Sequence, residues 1–246
     1  MDGIFHLSRA FDDDDVVHVE GDVNPVRDLE IIHAELRKKD ENFLIKKTED
    51  LTKQVARIGS GGSVADKAKK EELIVLQKLV KLVSEDSKDV RTGDWSNKEV
   101  EIINSLHLLS AKPVVYLVNL SERDYARKKN KWLVKIKNWI DEHYPGDMLI
   151  PYSGALEEKL SLMESDTERQ DYLKKLSDDY AEGKPVVSAL PKIIVAGYQA
   201  LNLIYCKLNY FKYINALYFI YVFTYSIIYY IYIFIINLTF PFFFLI

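Results

Sequence analysis

The chain has 246 residues and carries 33 Lys and Arg against 37 Asp and Glu, a formal net charge of −4. Charged residues make up 28% and apolar ones 48%, an ordinary globular balance that excludes disorder along the whole length. A single Cys excludes a disulfide framework and any zinc site built on cysteines.

Asp2-Gly3 leads straight into Ile4-Phe5-His6-Leu7, a short apolar run that reads as a buried strand. No basic stretch followed by an apolar one precedes it, so no secretory signal is expected, and a chain opening inside a strand is expected to lack residues upstream. The acidic run Asp12 to Asp15 reads as a solvated loop. A metal site is the sharper alternative, weakened by the want of a second ligand cluster at a recognisable spacing.

Asn24-Pro25 is a helix start, with Asn as cap and Pro at the first helical position. Leu29, Ile32, Leu36, Phe43, Leu51, Val55 and Ile58 then fall near one helical face. Gly59-Ser60-Gly61-Gly62-Ser63 interrupts the pattern, and a second amphipathic run follows through Leu73, Leu76, Val80 and Val83. Two long charged helices around a Gly/Ser turn predict an antiparallel helical hairpin over about residues 25–90, its first arm roughly 50 Å long at 1.5 Å per residue. The glycine cluster is not a phosphate loop, because G-x-x-x-x-G-K-[ST] spacing is missing and both flanks are helical.

Ser96-Asn97-Lys98-Glu99 is a capping box that opens a helix through Ile102, Ile103 and Leu106, ended by Lys112-Pro113. Val114-Val115-Tyr116-Leu117-Val118 suits a central parallel strand covered on both faces. A helix with Trp132, Ile136, Trp139 and Ile140 on one face follows, then a short strand, Met148 to Tyr152. Ser165 with Glu168 caps a further helix, and Leu190 to Tyr205 reads as the last helix before the tail. Strand and helix alternate, which predicts a doubly wound α/β sheet whose ligands bind beyond the carboxyl ends of the strands.

Two loops occupy that position, Asn119-Leu120-Ser121-Glu122 and Ser153-Gly154-Ala155. The Asn119 amide can donate to a purine ring nitrogen and accept from the neighbouring loop, and Glu122 can accept from base amino or imino groups. Gly154 and Ala155 let backbone N–H groups approach a base closely. Helix caps and turns alone would also account for these residues. The five His lack ligand spacing, so no metal ligand is predicted, and no catalytic residue is assigned. Trp95, Trp132 and Trp139 read as packing, and Cys206 as an incidental thiol. Lys128-Lys129-Asn130-Lys131 is a basic surface patch, but residues 1–206 hold 31 basic against 37 acidic side chains, and no direct DNA binding is expected.

Longer stretches of the sequence resemble the Obg-like ATPase family, the YchF-type branch of the translation-factor-related P-loop NTPases. The resemblance is carried by Asp2-Gly3-Ile4-Phe5-His6, Arg9-Ala10-Phe11, His18-Val19-Glu20-Gly21 and Pro25-Val26-Arg27-Asp28-Leu29-Glu30. It continues in Val90-Arg91, Gly93-Asp94-Trp95 and Ala111-Lys112-Pro113-Val114-Val115-Tyr116-Leu117-Val118-Asn119. Pro151 to Glu157 and Ser188 to Ile194 complete it, over about residues 1–205. The resemblance implies an ATP or GTP site with Mg in the intact family, a helical hairpin inserted at about 25–90, and ribosome association. It implies that Asn119 orders the base pocket, that Leu120 packs beside the base through backbone and side chain, and that Glu122 holds the specificity position. The related GTPases carry Asn-Lys-x-Asp there, so Leu120 and Glu122 mark the altered version tied to ATP tolerance. Ser153, Gly154 and Ala155 match the last nucleotide loop. The family's Walker A loop, switch threonine and Asp-x-x-Gly motif have no counterpart in these 246 residues, nor does its C-terminal TGS domain. The reading is therefore a family member truncated at both ends, without a Mg site, binding nucleotide weakly and not hydrolysing it. A non-enzymatic ribosome or protein interaction module is the alternative.

Residues 207–246 form an apolar tail that holds 8 of the 16 Tyr and 8 of the 11 Phe, and 213–246 contain no charge. That length exceeds the ~20 residues needed to span a bilayer. Lys207 and Lys212 on its near side would keep the body cytoplasmic, as a tail-anchored protein. Of the 40 tail residues, 34 are Lys, Asn, Ile, Tyr, Phe or Leu, all with codons made of A and T alone. Translated AT-rich non-coding sequence has that composition too, and both readings stand.

Overall fold

The structure, a computed structural model, describes residues 2–11, 22–58 and 63–203. The acidic run, the segment around His18, the Gly/Ser turn and the apolar tail therefore lie outside the described residues. Three strands and eight α-helices are described: β1 (Ile4–Arg9), α1 (Pro25–Ala56), α2 (Val64–Val80), α3 (Asn97–Leu106), β2 (Val114–Asn119), α4 (Glu122–Arg127), α5 (Leu133–His143), β3 (Met148–Tyr152), α6 (Gly154–Leu162), α7 (Asp166–Tyr180) and α8 (Leu190–Ala200). A π-helical turn, Lys81–Glu85, prolongs α2, and a 3-10 turn, Val90–Thr92, leads toward α3.

The strands form one parallel sheet in the order β1-β2-β3. Register runs from Ile4 opposite Val114 to Arg9 opposite Asn119, and Asn119 lies opposite Tyr152 on the other side. The carboxyl ends of all three strands are thereby brought level. Strand β2 is buried on both faces, which explains its unbroken apolar run. Val114, Tyr116 and Val118 pack with Leu29 of α1 and with Ile136, Trp139 and Ile140 of α5. Val115 and Leu117 pack on the opposite face with Ile193 and Ala196 of α8. Phe5 extends that second layer, and a Cβ on Gly197 would sit 2.8 Å from its ring, so a larger residue there would require the Phe5 ring or α8 to shift.

Asn24 caps α1 through its side chain, and Pro25 occupies the first turn. The buried face of α1 differs from the one predicted. It consists of Leu29, His33, Asp40, Leu44 and Leu51, whereas Phe43 is 45% exposed. Two polar residues face inward because each has a partner there. Asp40 accepts from the backbone N–H of Leu109 at 2.9 Å and of Ser110 at 2.7 Å. His33 Nδ1 stands 3.0 Å from Asp89, and its Nε2 stands 3.0 Å from the Tyr116 hydroxyl. Arg37 adds a 2.9 Å bond to Asp89, and Arg91 pairs with Asp147 at 2.6 Å. This buried polar cluster ties α1 to the sheet. Farther along, Leu44 and Leu51 of α1 pack with Val75, Leu76 and Leu79 of α2, and Lys47 pairs with Glu72.

Both predicted bonds of the Ser96–Glu99 capping box are present. Helix α3 stops at Leu106, well before Lys112-Pro113, because His107 turns into the left-handed region at φ 53°. Helix α8 ends at Ala200 rather than Tyr205. Ser165 caps α7 by accepting from Thr167 N–H, with Glu168 in the first turn. Among the described residues no helix is long and apolar enough to cross a membrane.

Candidate functional site at the carboxyl ends of the strands

Asn119 is the last residue of β2, and its side chain reaches across to the neighbouring strand end. Its Oδ1 accepts from the backbone N–H of Gly154 at 2.9 Å. Its carbonyl accepts from Ala10 at 2.9 Å, and the next residue, Leu120, donates its N–H to Tyr152 at 2.8 Å. The strand-end segments after β1, β2 and β3 are thus joined by three hydrogen bonds. A Cβ on Gly154 would stand 3.3 Å from Asn119 Nδ2, so this approach is close enough to favour glycine.

Ser153 is fully buried and caps α6, its Oγ accepting from Leu156 N–H. Gly154 and Ala155 form the first turn of that helix, where backbone N–H groups lack helical partners. Glu157, in the same turn, accepts from Ser188 and from Ala189 N–H, both at 2.6 Å, and so locks α6 to the start of α8. Leu120 is only 2% exposed, its side chain in the cluster with Ile136 and Ile140. The leucine is a core residue, and what it presents at the strand end is its backbone.

Glu122 opens α4, whose cap is Ser121. Its carboxylate is engaged from the side: Lys159 Nζ of α6 lies 2.9 Å from it, and the Tyr172 hydroxyl of α7 lies 3.3 Å from Oε2. The hydrogen bond to Glu122 raises the Lys159 pKa, so the ammonium is firmly charged. Lys159 and Tyr172 escaped sequence reasoning because nothing local marks them. Lys159 stands on α6 and Tyr172 on α7, and neither belongs to a motif. A separate cleft of about 760 Å³ opens beside Ala10, Phe11, Ser121, Arg123, Asp124 and Asn130, and none of the six predicted site residues lines it.

A parallel sheet covered on both faces, with its strand-end loops hydrogen-bonded to one another, defines a parallel α/β protein, the class in which ligands bind outside the carboxyl ends of the strands. The fold matches the solved structure of the Schizosaccharomyces pombe YchF GTPase with a TM-score of 0.69 and 51% identity, over 82% of this chain and 50% of that one.

The sequence relatives agree. Obg-like ATPase 1 of Schizosaccharomyces pombe is 52% identical over 211 residues, covering 86% of this chain and 50% of the relative. Obg-like ATPase 1 of Homo sapiens is 50% identical over 205 residues, covering 83% and 48%. The Saccharomyces cerevisiae protein of the same name is 51% identical over 204 residues. No family model matches. The chain is a homologue of the Obg-like ATPases and spans about half the length of the curated relatives it matches.

Proposed function

We propose that this chain supplies the base-recognition part of a purine nucleotide site of the Obg-like ATPase kind, binding ATP or GTP weakly and not hydrolysing it alone. The Asn119–Gly154 hydrogen bond carries the reading, because it joins the two loops that a base would contact. In this reading Asn119 orders the pocket by holding the Gly154 N–H, and the Ala155 N–H in the first turn of α6 faces the base edge. Ser153 holds that turn rigid from below. Leu120 lends its backbone alone, since its side chain is in the core, and Glu122 stands at the specificity position.

Phosphoryl transfer depends on backbone N–H groups, a Lys and a Ser or Thr that position phosphates and Mg²⁺. The 246 residues contain no G-x-x-x-x-G-K-[ST] sequence. Among the described residues no group of three or more His, Cys, Asp or Glu is placed to hold a metal ion. In this reading base contacts supply the affinity. Calorimetry of the full chain with ATP and GTP, run beside a phosphate-release assay, tests this. Weak heats without phosphate release are expected, and tight ATP binding with turnover overturns the claim.

A second reading has its own observation. Phe43 on α1 is 45% exposed and Ile74 on α2 is 63% exposed. We read the two helices as an antiparallel hairpin inserted in the nucleotide domain, contacting a ribosomal or other protein partner in the cytosol. Co-sedimentation of the full chain with ribosomes, without nucleotide, is the expected result; loss of the chain to the supernatant removes the reading.

A further inference from the structure

We propose that Lys159 and Tyr172 are positioning residues that set base selectivity by clamping the Glu122 carboxylate. The inference rests on the nucleotide-site reading above and adds the selectivity device to it.

The geometry is a closed triangle. Lys159 Nζ lies 2.9 Å from both carboxylate oxygens of Glu122. The Tyr172 hydroxyl lies 3.3 and 3.5 Å from the same two oxygens, and Lys159 Nζ lies 3.3 Å from that hydroxyl. Tyr172 thus accepts from the ammonium and donates its one proton to the carboxylate. The three residues come from three helices, α4, α6 and α7, so this is a tertiary contact rather than a one-helix ion pair. The Glu122 side chain is 19% exposed against 51% for Lys159, which places the carboxylate on the inner side of the clamp.

Helix α6 also carries Gly154 at its start. One rigid element therefore grips both ends of the Asn119–Glu122 loop, through Asn119 and through Glu122. The acid's direction is set by α6 and α7 and not by its own short helix.

The two purines ask different things of an acid at this position. Guanine offers an imino N–H and an amino group side by side, and both seek a carboxylate with free lone pairs. Adenine offers one amino group next to a ring nitrogen whose lone pair repels a free carboxylate. A carboxylate already holding an ammonium and a phenol has little acceptor capacity left, and the ammonium offsets its negative charge. The clamp removes guanine's advantage and the penalty against adenine together. Removing Lys159 returns a free acid to the position.

The test titrates the full chain with fluorescent N-methylanthraniloyl ATP and GTP. Lys159→Met is expected to move the affinity ratio toward GTP by about tenfold, within the range one bidentate base contact supplies. Tyr172→Phe moves it the same way by less, and Lys159→Arg keeps the wild-type ratio. Adding Glu122→Gln to Lys159→Met cancels the shift. Thermal melts of each variant confirm folding. A Lys159→Met ratio within twofold of wild type, with ATP still bound, overturns the clamp alone. A shift that survives Glu122→Gln also overturns it, because the effect would not run through the carboxylate. If the wild-type chain binds neither nucleotide, the underlying site reading falls and the clamp falls with it.

Discussion

At the scale of single residues, the strand-end site depends on how closely two loops approach. Gly154 meets the Asn119 amide with no side chain of its own, and a bare Cβ there would already be 3.3 Å away. Gly154→Val adds two methyl groups to that gap. The Asn119 amide must then turn, and its 2.9 Å bond to the Gly154 N–H is lost. We expect nucleotide affinity to fall by roughly tenfold, the value of one hydrogen bond of ~1–1.5 kcal/mol, as read by fluorescent-nucleotide titration. The Asn119–Gly154 contact was legible in sequence because both residues stand at strand ends. The partners of Glu122 were not, since Lys159 stands 37 residues away and Tyr172 stands 50 away. Leu120 shows the opposite failure. The family resemblance implies a side chain packed beside a base, whereas the Leu120 side chain is buried in the sheet layer.

At the scale of elements, α1 shows how tertiary partners override a hydrophobic pattern. Apolar periodicity placed Phe43 inside, yet Asp40 and Leu44 take that face. Asp40 belongs there because Leu109 and Ser110, in the segment between α3 and β2, have backbone donors with no strand or helix to receive them. Asp40→Ala leaves those two N–H groups without an acceptor and removes a charge-assisted bond from the Ser110 hydroxyl. A loss of about 3 kcal/mol is expected from urea unfolding, with Asp40→Asn recovering part of it. The capping motifs fared better. Ser96 with Glu99 is a local device needing only four consecutive residues, so its sequence suffices. The end of α3 is local as well, but its stop at His107 uses a left-handed residue that carries no glycine signal.

At the scale of the molecule, a buried polar cluster joins α1 to the sheet and makes stability depend on acidity. His6 on β1 is buried, and burial, aided by the nearby His33, holds its pKa down at about 3. Its ordinary value is ~6.5, so the folded state binds a proton less readily than the unfolded one. His6 therefore contributes stability above that range, and the contribution is lost as pH falls from ~6.5 toward 3. Asp89 works in the same direction lower down. Burial pushes its carboxyl up, but hydrogen bonds from His33 and Arg37 outweigh this and hold it below the usual range. Its contribution is present above the ordinary carboxylate range and is lost below it. Urea unfolding at a series of pH values should show a decline starting near pH 6.5 and steepening below ~4. His6→Phe should flatten the upper part of that decline by up to about 1.4 kcal/mol per pH unit. An unchanged slope would assign the acid sensitivity elsewhere.

The sequence by itself determined the alternation of strand and helix, the double-sided burial of Val114 to Val118, the helix caps and the two loops at the strand ends. All of these are written in runs of a few residues, where side-chain type and local backbone preference decide the outcome. Only the tertiary structure decided which polar groups meet. His33 finds Tyr116 across 83 residues, Asp40 finds Ser110 across 70, and Glu122 finds Lys159 across 37. Such pairs leave no periodic trace, because packing three helices and a sheet together, not chain proximity, brings a donor to its acceptor.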